Sequence, residues 1–153
     1  MSPLLSMTTP VAEYQGIEQH MLMQREQLSR AVFVNSDWQS ATIRKLVQLE
    51  NLPRNWDRSG SPPPARTSIE ASLNFIQIVS ALGHENVTEP EVFPVPGGGI
   101  QLEWSTAGRQ LEVEILPDGT AQFLRVDNRK VEAEGDISSR AQVRFLFGWM
   151  TAG

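Results

Sequence analysis

The stretch Gly99-Ile100-Gln101-Leu102-Glu103-Trp104-Ser105-Thr106-Ala107-Gly108-Arg109-Gln110-Leu111-Glu112-Val113-Glu114-Ile115 decides the fold class. Ile100, Leu102 and Trp104 alternate with Gln101 and Glu103, and Leu111, Val113 and Ile115 alternate with Gln110, Glu112 and Glu114. A period of two over both halves marks two strands that each bury one face. Between them, Ser105 to Gly108 reads as a four-residue hairpin loop. That loop pairs Trp104 with Arg109, Leu102 with Leu111 and Ile100 with Val113. It also sets Glu103 against Gln110 and Gln101 against Glu112, so no two like charges are expected to face each other. A slip of one residue would expose the whole apolar set.

The period changes on the N-terminal side. Residues 1–10 read as a loose tail, and residues 11–150 as one domain, in keeping with a chain of 153 residues. From Val11 to Val34, Tyr14, Ile17, Met21, Leu28 and Val32 recur at helical spacing. Ser36 followed by Gln39 suggests a capping box for a second helix that carries Ile43, Leu46 and Val47 and stops before Pro53. Thr67 with Glu70 offers the same signature for a third, with Ile69, Leu73, Ile76 and Val79 on its stripe and Gly83 at its stop. Between these two helices, Asn55-Trp56-Asp57 and the run Pro62-Pro63-Pro64 form a loop with a stiff exit.

Beyond Pro90 further strands are expected. Glu91 to Val95 is a short edge strand, since Pro94 lacks a ladder donor. Gly97-Gly98-Gly99 reads as a flexible turn, and Pro117-Asp118-Gly119 as a tight one. Ala121 to Val126 and a short Val131 to Glu134 follow, and Asp136 or Ser138 would cap a last helix with Val143, Leu146, Phe147 and Met150. The expected class is α+β: N-terminal helices packed on a three- to five-stranded antiparallel meander, closed by a C-terminal helix.

Composition removes several functions. No cysteine is present, which excludes disulfides and thiolate chemistry and suits a cytoplasmic protein. A net charge of −5 opposes broad attraction to nucleic acid or anionic lipid. Residues 1–10 lack the basic and apolar regions of a signal peptide, and no stretch approaches a membrane span. His20 and His84 stand alone, without metal-ligand spacing, and Gly97-Gly98-Gly99 lacks the Lys-Ser/Thr of a phosphate loop. No catalytic residue, metal site or cofactor is therefore assigned.

What remains are candidate contact residues. Met21 and Met23 offer an adaptable apolar surface on the first helix. Trp56 and Asp57 form the most unusual local sequence, suited either to a partner hot spot or to a loop that ties its own backbone. Glu103, Glu112 and Glu114 form an acidic row on the hairpin. It serves either as an ordinary wet face or as a receptor for a basic partner. Arg129, Lys130, Arg140 and Arg144 are candidates for contact with nucleic acid, against the acidic net charge. A small metal-dependent hydrolase or nuclease-like enzyme, with Asn55, Asp57 and the sheet carboxylates in one cleft, and an RNA- or DNA-binding accessory protein are the alternatives to a protein-binding or regulatory role.

The segments Leu52 to Pro62, Gly98 to Trp104 and Leu111 to Ile115 resemble a group of small bacterial proteins. That group carries an NWD-x-x-G-x-x-P loop, a GG-x-x-LEW strand and an L-x-V/I-E strand. The likeness covers about residues 43–116, roughly half of the chain. Arg58-Ser59 stands where an aromatic residue or glycine often follows the aspartate. The group has no established activity, so the resemblance implies no catalytic residue. It implies an accessory or regulatory role in a defence, CRISPR-associated, mobile-element or toxin–antitoxin gene cluster, with a protein partner encoded nearby.

Overall fold

A computed structural model describes residues 37–84 and 86–152. The chain divides into two units after Ser36, and the fold below is that of the second, Asp37–Gly153. The expected tail and first helix, with Met21 and Met23, lie outside the described residues, as does Ser36 of the expected cap.

The described residues form an α+β fold. Two helices, α1 (Asp37–Leu49) and α2 (Arg66–Ala81), precede five strands: β1 (Glu91–Val95), β2 (Gly99–Thr106), β3 (Arg109–Ile115), β4 (Ala121–Asp127) and β5 (Lys130–Ile137). A helix α3 (Arg140–Thr151) follows the strands. The strands pair in sequence order as an antiparallel meander, β1-β2-β3-β4-β5. Short connections make this the natural order, because each strand returns beside its predecessor.

Alternation then determines the layering. Ile100, Leu102 and Trp104 of β2 and Leu111, Val113 and Ile115 of β3 are all buried. They meet Leu46 of α1, Ile69, Phe75, Ile76 and Val79 of α2, and Val143, Leu146, Phe147 and Met150 of α3 in one core. Each fully buried side chain of this size contributes about 1.5–3 kcal/mol of apolar transfer. α1 lies against α2 and β1, α2 against β2 and β3, and α3 against α2 and β3. The helices thus share one face of the sheet. At its centre Trp104 meets Phe147 edge-on at 4.8 Å, with Phe75 at 6.2 Å from Trp104.

The hairpin register differs from the expected one by two residues. The pairs are Thr106 with Arg109, Trp104 with Leu111, Leu102 with Val113 and Ile100 with Ile115. The loop is Ala107-Gly108 alone, with Gly108 at φ +82°, a conformation that glycine adopts without steric cost. Shortening the loop adds two rungs to the ladder. Because the slip is even, every side chain keeps its face, but Glu103 now stands opposite Glu112 and Gln101 opposite Glu114. The expectation that like charges avoid each other is overturned.

Three helix and turn details also differ. α2 begins at Arg66 behind Ala65, which makes no side-chain cap, so Thr67 and Glu70 form no capping box there. The Ala65 amide instead donates to the Gly98 carbonyl, and the Ser68 hydroxyl lies within hydrogen-bonding distance of both the Gly98 and Ala65 carbonyls. The glycine run is thereby fastened to the start of α2 rather than left flexible. β5 extends to Ile137, opposite Ala121, which moves the cap of α3 to Ser139, with Gln142 completing a true capping box.

Candidate functional site: the acidic outer face of the sheet

The face of the sheet turned away from the helices is built by the other half of each alternation. Register places Glu91, Glu103, Glu112, Leu124 and Glu134 in one row across all five strands. The neighbouring row is Phe93, Gln101, Glu114, Gln122 and Asp136. Six carboxylates therefore share two adjacent rows, and no lysine or arginine occupies a position in either. Glu103, Glu112 and Glu114 are half-buried, whereas Glu91, Glu134 and Asp136 are exposed.

Neutral amides mediate within this face. The Gln101 side-chain amide donates to the Glu103 carboxylate, and that of Gln110 donates to Glu112 at 3.0 Å. Gln122 reaches Asp136 at 3.5 Å. Burial pushes the Glu112 carboxyl above its ordinary range, and the charge of Glu103 opposite adds to the shift. A depression of about 220 Å³, lined by Gln101, Glu112, Glu114, Gln122, Phe123, Leu124 and Glu134, opens on this face. Chemically, it is a concave, crowded anionic surface that holds Glu112 short of counter-charge. A cation brought to it would relieve repulsion as well as gain attraction.

Trp56 and Asp57 are elsewhere and serve their own loop. The Trp56 indole donates to the Pro62 carbonyl at 2.8 Å. One Asp57 oxygen accepts from the Ser59 and Ser61 amides, and the other accepts from the Ser61 hydroxyl. Asn55 accepts from the Gly60 amide and sits at φ +64°, a conformation asparagine tolerates better than most residues. The Ser61 hydroxyl, and then the Ser59 amide, hold the Asp57 carboxyl below its usual range. Every hydrogen-bond partner of this carboxylate lies in the loop, while Glu103 and Glu112 project from the side of the sheet away from the helices. The structure does not join them in a cleft. Among the described residues no cluster of three His, Asp or Glu side chains could hold a metal ion.

The basic candidates are also separated. Arg129 sits with Asn128 in the two-residue β4–β5 turn, both at positive φ as a type I′ turn requires, and Lys130 begins β5. Arg140 begins α3 past the other end of β5, a strand about 23 Å long at the usual rise per residue, and Arg144 lies one turn further along that helix. They are exposed but form no continuous patch.

Period-two reading identifies Glu103, Glu112 and Glu114 but misses Glu91, Glu134 and Asp136. Their strands had no assigned face, because only pairing to β2 and β4 brings them into the rows. Also unforeseen is a cluster around Trp149. Arg109 donates to the Trp149 carbonyl, and Arg109 and Arg125 lie 5.1 and 4.9 Å from its ring. No family model, curated protein or solved structure matches the chain.

Proposed function

We propose that the chain is a non-enzymatic binding protein whose outer sheet face docks a basic partner protein. The observation that carries this reading is the two-row array of six carboxylates with no cation among them. A free protein gains no stability from like charges set opposite each other, as Glu103 and Glu112 are. A complementary surface makes use of them, through faster encounter and rejection of acidic competitors. Burial and then the charge of Glu103 shift the Glu112 carboxyl upward, a shift that a nearby cation would oppose. The partner is a protein with a lysine- and arginine-rich patch, and an accessory role beside a gene-cluster neighbour accords with the resemblance noted above.

The test is affinity capture from the native host, with neighbouring genes intact, by the unaltered chain and by a Glu103→Gln, Glu112→Gln, Glu114→Gln variant. Recovery of a stoichiometric partner by the unaltered chain alone, released by salt, is the expected result. No partner, or one held equally by the variant, overturns the reading.

A further inference from the structure

On the helix side of the sheet, a cleft of about 380 Å³ opens between α3 and strands β4 and β5. Its walls are apolar: Phe123, Ala133, Ala141, Phe145 and Leu146. Phe145 is 65% exposed, which is unusual for a phenylalanine beside a core. One charged side chain, Arg125, lines it. Gln142 also lines it, but both ends of its amide are engaged by the α3 cap and the Asp136 carbonyl.

Arg125 is placed in an uncommon way. It projects from the helix side of β4, opposite Leu111 and Ala133, and its side chain is only 13% exposed. Its guanidinium lies 4.9 Å from the Trp149 ring and 5.6 Å from that of Phe145. These rings stabilise the cation through their faces. Glu132 touches one terminal nitrogen at 3.5 Å, a long ion pair. The buried Nε has no acceptor among the described residues. Arg125 nevertheless lines the cleft, and a guanidinium is shaped for a carboxylate.

We infer that this cleft binds a small apolar carboxylic acid, its hydrocarbon part against Phe123, Phe145 and Leu146 and its carboxylate on Arg125. The volume falls in the range of small-molecule sites, and a largely apolar wall with one placed charge is their usual make-up. The site is independent of the acidic face, which lies on the other side of the sheet.

The test uses decanoate, decanol and the full chain, followed by amide chemical shifts and calorimetry. Saturable decanoate binding with shifts centred on Arg125, Ala133 and Phe145 is expected. It should be roughly tenfold tighter than decanol, the gain of a charge-assisted hydrogen bond. Phe145→Ala, at an exposed position that does not endanger the fold, should weaken decanoate, and Arg125→Gln should remove its advantage over decanol. Equal binding of decanol to the unaltered chain, shifts centred elsewhere, or no saturation would overturn the assignment without reference to any variant.

Discussion

Glu103 and Glu112 stand directly opposite each other across β2 and β3, on the face of the sheet away from the core. Each has a glutamine amide two residues along its own strand as hydrogen-bond donor, Gln101 for Glu103 and Gln110 for Glu112. These amides soften the repulsion without cancelling charge. The folded-state pKa of Glu112 lies above its unfolded value, first through burial and then through Glu103. The native state therefore binds the proton more tightly than the unfolded chain does. Stability is withheld at neutral pH and regained as pH falls through the folded pKa. Glu112→Gln should accordingly raise stability at pH 7, by about 0.5 kcal/mol on the scale of cross-strand pairs. Paired melts from about pH 7 to pH 4 should show the gain shrinking toward acid. A gain that is constant or grows toward acid would contradict this coupling.

The same pair shows where reading the sequence runs out. Alternation is blind to a slip of two residues, because an even slip leaves Ile100, Leu102, Trp104, Leu111, Val113 and Ile115 on the buried face. Only the turn selects between such registers. Ser105 and Thr106 have no feature that excludes them from a loop, yet they pair with Gln110 and Arg109. Fold class and the apolar face of β2 and β3 were thus legible from period, while the charge pairing on the outer face was not. Thr67 and Glu70 were misleading for a related reason. A capping signature is local, but the start of α2 is determined by Ala65 and Ser68 bonding to Gly98, thirty residues further along the chain. Arg125 gave no signal at all: an arginine in an alternating strand reads as an outward residue, whereas stacking with Phe145 and Trp149 places it inward.

Gly99 has a specific steric role in β2. A Cβ there would lie 2.8 Å from the Ile115 carbonyl oxygen, a backbone atom of the paired strand. Gly99→Ala should therefore displace the β2–β3 ladder at its end and destabilise by roughly 1–3 kcal/mol, the usual scale of overpacking. Gly148 is the control. It lies within α3, and a Cβ added there meets nothing within 4 Å. Gly148→Ala should stabilise by up to about 1 kcal/mol through helix propensity. Denaturant midpoints for the two variants should move in opposite directions at unchanged m-value.

Asp57 gathers the Ser59 amide and the Ser61 amide and hydroxyl in the loop between α1 and α2. Its folded pKa is depressed, so its contribution is fully present above the ordinary carboxylate pKa and is lost as pH falls through the lower folded value. Asp57→Asn should lower the melting temperature at neutral pH, and the difference from the unaltered chain should close at acid pH. The substitution also separates two roles for the loop. If Asp57→Asn still captures the partner at low salt and at a temperature where it stays folded, the loop acts on architecture, and binding belongs to the sheet.

Trp104 joins the sheet to the helices at the centre of the core. It is 1% exposed, meets Phe75 and Phe147, and donates from its indole nitrogen to the Thr88 carbonyl at 3.1 Å. That hydrogen bond ties the segment before β1 to β2, so the residue acts on connectivity as well as packing. Trp104→Phe keeps an aromatic ring against Phe147 but removes the donor and part of the volume. Lost packing together with the lost hydrogen bond to the exposed Thr88 should cost about 1–3 kcal/mol. Trp104→Ala removes the ring altogether and should cost about 3–5 kcal/mol. Hydrogen exchange distinguishes the two effects. In Trp104→Phe, protection should fall first at residues 87–92, because the Thr88 tether is gone, while amides of β3 stay protected. Uniform loss of protection across the sheet would instead assign the whole effect to packing.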